Sequence, residues 1–214
     1  EISALVFDMS AEGAATFNST VALTSFAATD GCTITTADND PQLILTSTDA
    51  DADEGPRMNF VRNSGSPANN DVLARISLQG KDAGANTTSY AELETTAVNV
   101  AEGSETGKFN IKVAVAGSVN QDVITMTGSE VVINDSSNDV DFRVESNGNA
   151  NMLFVDAGND VVGIGTSGPN SYNDYANNLV VYENGNAGIT IAAGTSSNSS
   201  LYFADGTSGN AQYR

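Results

Sequence analysis

Histidine is missing altogether from these 214 residues, and so is tryptophan. Without an imidazole, this chain cannot supply Ser-His-Asp hydrolysis, Cys-His catalysis, a histidine-bound zinc or imidazole acid–base chemistry. Its one cysteine, Cys32, rules out an intrachain disulfide. A reactive thiol needs basic surroundings, and the nearest base in sequence is Arg57, so Cys32 is expected to be a small buried apolar residue. No run approaches the ~18 apolar residues of a membrane-spanning helix, and none reads as a signal peptide. Bases are scarce as well, at 8 against 27 acids, for a net charge of −19. Such a chain has no basic face with which to displace counterions from nucleic acid, and an anionic membrane surface would repel it. Neither nucleic acid nor membrane is expected as a partner.

What remains is polar without being charged. Charged residues make up only 16% of the chain, so Ser, Thr, Asn and Gly carry most of the hydration, as suits a soluble, outward-facing protein. Hydrophobic residues at 40% and aromatics at 7% allow a core, but a light one. The chain opens on Glu1 and closes at Arg214 with no turn after its last segment, so a piece of a longer chain is expected.

Helical periodicity is almost absent, and short β-type runs recur between Gly, Asn, Asp and Ser. The clearest are residues 42–46, 58–62, 72–79, 89–100, 108–116 and 122–127. In "KFNIKVAVAG", Phe109, Ile111, Val113 and Val115 alternate with Lys108, Asn110 and Lys112. Alternation of this kind predicts a buried apolar face and a wet polar one, with both lysines on the wet side. A hairpin turn is expected around residues 117–120. Residues 40–128 thus read as an antiparallel β domain.

Outside it a unit of apolar strand, glycine-bearing polar turn and second apolar strand appears four times. Its copies are "LVFDMSAEGAATF" (5–17), "DVITMTGSEVVI" (122–133), "MLFVDAGNDVVGI" (152–164) and "LVVYENGNAGITI" (179–191). One such ribbon cannot bury its own apolar face. Stacking along an axis, or pairing with identical chains, removes the exposed edges. Residues 1–39 read as an N-terminal strand repeat and connector, and residues 129–214 as a repetitive β segment.

Three stretches carry a resemblance to marine bacteriophage tail-fibre proteins. "DFRVESNGNANMLFVDAGNDVVGIGTSGP" (141–169) resembles a fibre element that ends in a Val-Gly-Ile-Gly-Thr-x-x-Pro phrase. "GNAGITIAAGTSSNSSLYFADGTSGNAQYR" (185–214) resembles a second fibre repeat, and "QLILTSTDADADEGPRMNFVRNSGSPANNDVLARISLQGKD" (42–82) resembles the opening of a larger module of the same proteins. Residues 18–40 are the least distinctive. The resemblance implies an all-β, elongated homotrimer wound around a threefold axis. It also implies an extracellular virion appendage, with other tail or fibre proteins as neighbours and a host-surface receptor reached through the full-length fibre. Nothing here resembles the self-cleaving chaperone domain that ends many such fibres, so a shaft or spacer segment is expected. A cellular surface filament built from similar repeats is the alternative, and a polysaccharide-cleaving spike a more distant one.

Of catalytic chemistries, only a carboxylate pair of the glycosidase kind remains. With 27 acids some pair always falls at a plausible separation, and Tyr172, Tyr175 and Tyr182 are the only local gathering of aromatics for sugar stacking. No catalytic, cofactor or metal residue is assigned, and no enzyme is expected. "VGIGTSG" (162–168) lacks the helix that a phosphate-cradling loop requires and reads as a glycine-bearing turn. "TSTDADADEGP" (46–56) puts Asp49, Asp51 and Asp53 at alternate positions, like the front of a calcium loop. Such a loop wants glycine sixth and a bidentate Glu twelfth, but Gly55 is seventh and Phe60 twelfth. A solvated acidic turn is the reading, and a cation site the alternative.

Overall fold

The computed structural model describes residues 27–28 and 31–204. It groups the chain into two units, Glu1–Met58 and Asn59–Arg214. The described residues of the first unit form no strand, and all are exposed. Ile34, Leu43, Ile44 and Leu45 all lie open, and so does Cys32. The expectation of a buried Cys32 is therefore corrected, because no strand or core surrounds it among the described residues. The runs 42–46 and 58–62 are corrected too, since neither forms a strand. Both have the composition of strands, but within the described chain neither has a ladder partner.

The second unit is all-β. Among the described residues there is no α-helix, so none is long and apolar enough to cross a membrane. Its first sheet is a five-stranded antiparallel meander in chain order: β1 (Asp71–Lys81), β2 (Thr87–Asn99), β3 (Thr106–Val115), β4 (Ser118–Met126) and β5 (Val131–Ile133). The β3–β4 turn is tighter than expected and sits at Ala116–Gly117. Both residues have positive φ, 48° and 87°, the two-residue hairpin geometry that matches strand twist. The second sheet holds β6 (Phe142–Val144), β7 (Leu153–Asp156), β8 (Val161–Ile164) and β9 (Leu179–Val181), in that order. β6, β7 and β8 are antiparallel, and β9 runs parallel to β8.

Two of the four repeat units are hairpins here, 122–133 as β4–β5 and 152–164 as β7–β8. In the latter, Asp156 Oδ1 accepts the Asn159 backbone N–H at 3.0 Å and closes the turn. The unit at 179–191 is corrected, since its first half is β9 and its second half forms no strand. A parallel partner needs a long connection. Here it runs through Gly165, at φ 81°, and a 3-10 turn at Pro169–Ser171 that packs on β8. The unit at 5–17 lies outside the described residues.

Burial in the first sheet is the reverse of the expected pattern. Phe109, Ile111 and Val113 are only half-buried, while Asn110 is fully buried and Glu92, Glu94, Thr96 and Thr125 are nearly so. The reason is curvature. Two strands flanking a third in a flat sheet lie about 9.5 Å apart, but Cα atoms of β2 and β4 come within 8 Å across β3. Register shifts between Ile111 and Lys112 and between Val113 and Val115 mark the bulges that bend a sheet this way. The polar side chains are gathered inside the curl and the apolar ones spread on the outside.

Candidate functional site: apolar faces and a buried polar ladder

Register builds both faces of the first sheet. On one side Ile76, Leu93, Ile111, Ile124 and Ile133 are cross-strand partners in turn, a branched aliphatic row across all five strands. A second row runs Thr95, Phe109, Met126, Val131. Exposure rises toward the edges, reaching 41% at Ile76 and 62% at Val131.

The opposite side holds two polar rows: Ser77–Glu92–Lys112–Asp122 and Arg75–Glu94–Asn110–Thr125. Glu94 is their hub. Its Oε1 lies 2.9 Å from Lys112 Nζ, and its Oε2 accepts from Arg75 Nε at 3.0 Å. Lys112 also reaches Asp122 Oδ1 at 3.6 Å, and that oxygen accepts from Asn110 Nδ2 at 2.8 Å. Asn110 Nδ2 donates again to Thr125 Oγ1 at 2.9 Å. Glu92 Oε1 accepts from Ser89 Oγ at 2.9 Å and Ser77 Oγ at 3.2 Å. Glu92 Oε2 and the Asn110 side-chain Oδ1 accept no hydrogen bond from the protein, although Glu92 Oε2 lies 3.3 Å from Arg75 Nε.

Lys112 was expected on a wet face. It is instead largely buried, because its charge is matched from two neighbouring strands. Burial works against its ammonium, but the Glu94 hydrogen bond and the Asp122 and Glu94 charges outweigh that and raise its pKa. Burial likewise works to raise the Glu94 pKa. Hydrogen bonds and charge from Lys112 and Arg75 prevail and hold it below its ordinary value. Arg75 is raised in turn, chiefly by its bond to Glu94. Glu94, Lys112 and Arg75 are thus held as paired charges. A signal for it exists in the sequence. Glu92 and Glu94 alternate with Ala91 and Leu93, and two strands of opposite charge on matching alternates can pair.

The second sheet is more one-sided. Phe142, Val155, Val162 and Leu179 are successive cross-strand partners, with Val144, Leu153, Ile164 and Val181 on the same side. These eight apolar side chains make one face without a charge. Phe142, Val144, Ile164 and Leu179 are 37%, 43%, 40% and 55% exposed. On the other side Phe154, Val161 and Val180 are buried, and Pro169 is fully buried.

The acidic stretch at 46–56 is exposed and bends at Asp51–Asp53. Asp53 N donates to Asp51 Oδ1 at 2.9 Å and Asp51 N to Asp49 Oδ1 at 3.4 Å, so the carboxylates turn onto the backbone two residues on. Among the described residues no three acidic or thiol groups converge as metal ligands would. "VGIGTSG" is strand β8 followed by a turn. An added Cβ at Gly165 would strike the Tyr182 carbonyl oxygen, so the glycine serves a close backbone approach. Tyr172 and Tyr182 are brought together, with ring centroids 6.4 Å apart and tilted by 55°, while Tyr175 projects alone at 98% exposure. The structure thus assembles two uncovered apolar faces and a buried polar ladder. Comparison with known protein families, curated proteins and solved structures finds no match for this chain.

Proposed function

We propose that this chain is a non-catalytic structural segment of a bacteriophage tail fibre, in which three copies wind around one axis. The supporting observation is the charge-free face of eight apolar side chains on the second sheet, left open while the opposite face is closed. The resemblance of residues 42–82, 141–169 and 185–214 to tail-fibre modules supplies the virion setting. In it the segment acts mechanically. It joins other tail proteins in an extracellular appendage and carries the receptor-binding part of the full-length fibre away from the particle.

The energetics ask for both sheets. Phe142, Val144, Ile164 and Leu179 are about half covered already, so finishing their burial gains roughly half of 1.5–3 kcal/mol each. Four residues then contribute about 3–6 kcal/mol per chain. Association costs about 4–15 kcal/mol, so that face alone is marginal. The five-strand row from Ile76 to Ile133 adds the rest. Three chains carry −57 (3 × −19), so the acids must point outward, and screening by salt should tighten the assembly. Sedimentation of the chain at micromolar concentration is the test. A mass of three chains is expected, rising in proportion with salt, whereas a folded monomer refutes the proposal.

A further inference from the structure

We infer that the outer edge of β1 receives the run Asn59–Arg62 from a second copy of this chain. The inference rests on the assembled reading above and says which backbone joins the copies. β1 is eleven residues long and lies at the end of its sheet, and among the described residues no strand pairs with its outer side. A long free edge of this kind is a template for another strand. Ahead of the turn at Asn69–Asn70 that leads into it, the chain holds a strand-type run, Asn59–Arg62, with no partner among the described residues. Phe60 is 54% and Val61 79% exposed.

Charge says which run can approach. Residues 55–70 contain Arg57 and Arg62 and no acid on a chain of −19, and since Arg57 is paired with Glu54 at 2.6 Å, Arg62 is the cation that carries the approach. A neighbouring copy repels most of this molecule and attracts that stretch. The docking point is visible within one chain: Arg62 Nη2 lies 2.9 Å from Asp71 Oδ1, and Arg62 Nη1 donates to the Val72 carbonyl at 2.9 Å. Yet behind this clamp residues 59–61 form no strand, and Ser64 N bonds back to Arg62 O at 3.1 Å. The clamp is complementary while the ladder behind it is unmade. Exchange between copies makes both. With Arg62 of one copy against Asp71 and Val72 of its neighbour, an antiparallel strand sets Phe60 opposite Ala74.

The test uses full chains in which the exposed Cys32 is replaced by Ser. One chain carries Phe60→Cys and the other Ala74→Cys, and the two are refolded together and oxidised. A disulfide requires Cα atoms about 4.4–6.8 Å apart, so a covalent pair appears only if the strands are neighbours. The expected product is an interchain crosslink that forms in the mixture. Arg62→Asp on the first chain should abolish it, and Asp71→Arg on the second should restore it. A trimer by sedimentation with no crosslink overturns this inference alone. So does a chain bearing both cysteines that closes only on itself. A monomer by sedimentation overturns it together with the fibre reading.

Discussion

Replacing Lys112 by Met probes the ladder where it is most constrained. The lysine side chain is 15% exposed and the Glu94 side chain it meets is 7% exposed, so removing the ammonium leaves a buried carboxylate short of one partner. Breaking a buried pair from one side costs about 3–5 kcal/mol. Glu94 keeps Arg75, which supports the lower end, about 3 kcal/mol. Arg75→Met removes a cation that is 48% exposed, where solvent already screens the interaction, and should cost about 1 kcal/mol or less. Both charges of the central pair can instead be replaced, as Lys112→Met with Glu94→Met. That change removes the buried carboxylate that had lost its partner and leaves Arg75 with Glu92 and Asp122 with Asn110, so part of the single-variant loss should return. Urea midpoints at one fixed chain concentration measure all three, and an unchanged slope confirms that stability alone has moved. If Lys112→Met costs no more than Arg75→Met, or if the double variant is weaker than the single, the ladder is not what orders the curled face.

The same groups set the pH response. Glu94 is depressed, so its contribution is present above the ordinary carboxylate range and is lost as pH falls through its lowered pKa. Lys112 is raised, so its contribution is complete below the ordinary lysine pKa and is lost as pH rises through the raised value. Melting followed across pH should therefore show a plateau with losses at both extremes, and a Lys112→Met chain should lose the alkaline limb. Phe154→Ala, at a residue 8% exposed, should cost about 3–5 kcal/mol as a large-to-small core change. Phe142→Ala, on the uncovered side, should cost the chain less and weaken association more. Comparing melting with sedimentation for the two variants separates core from interface, and equal effects on both would contradict the facing.

Much of the β architecture is legible in the sequence. The alternation in 108–115 identifies a strand because side chains on a pleat have period two, and β3 covers all but one residue of the expected run. The hairpin at 152–164 is legible for the same reason, with Asp156 and Asn159 supplying turn chemistry. Which face is covered is not legible. Alternation says that Phe109 and Asn110 point oppositely, but the direction in which the sheet curls depends on bulges at the β3–β4 pairing, a property of two strands together. Lys112 is hidden by the same limit, since its partners Glu94 and Asp122 come from other strands. The parallel entry of β9 escapes as well. The text of 179–191 repeats that of a hairpin, while the path that delivers it depends on a left-handed glycine at 165 and on Pro169 packing against β8.

The departures at apolar positions share one physical cause. A hydrophobic pattern records which side chains are apolar, whereas burial within one chain shows only what its own atoms can cover. Where the chain supplies its own cover, as at Phe154 and Val161, pattern and burial agree. Where they disagree, at Ile76 and Val131 in the first sheet and Phe142 and Leu179 in the second, the residues are apolar and join apolar rows set by register. A chain of −19 could tolerate scattered exposed apolar groups without consequence. Their alignment into rows across five strands and four strands is a different matter, because it is the arrangement in which one added layer covers them all. The polar ladder points the same way. By pairing its charges inside the curl, it keeps them off the two apolar rows, where Thr95 is the one polar side chain.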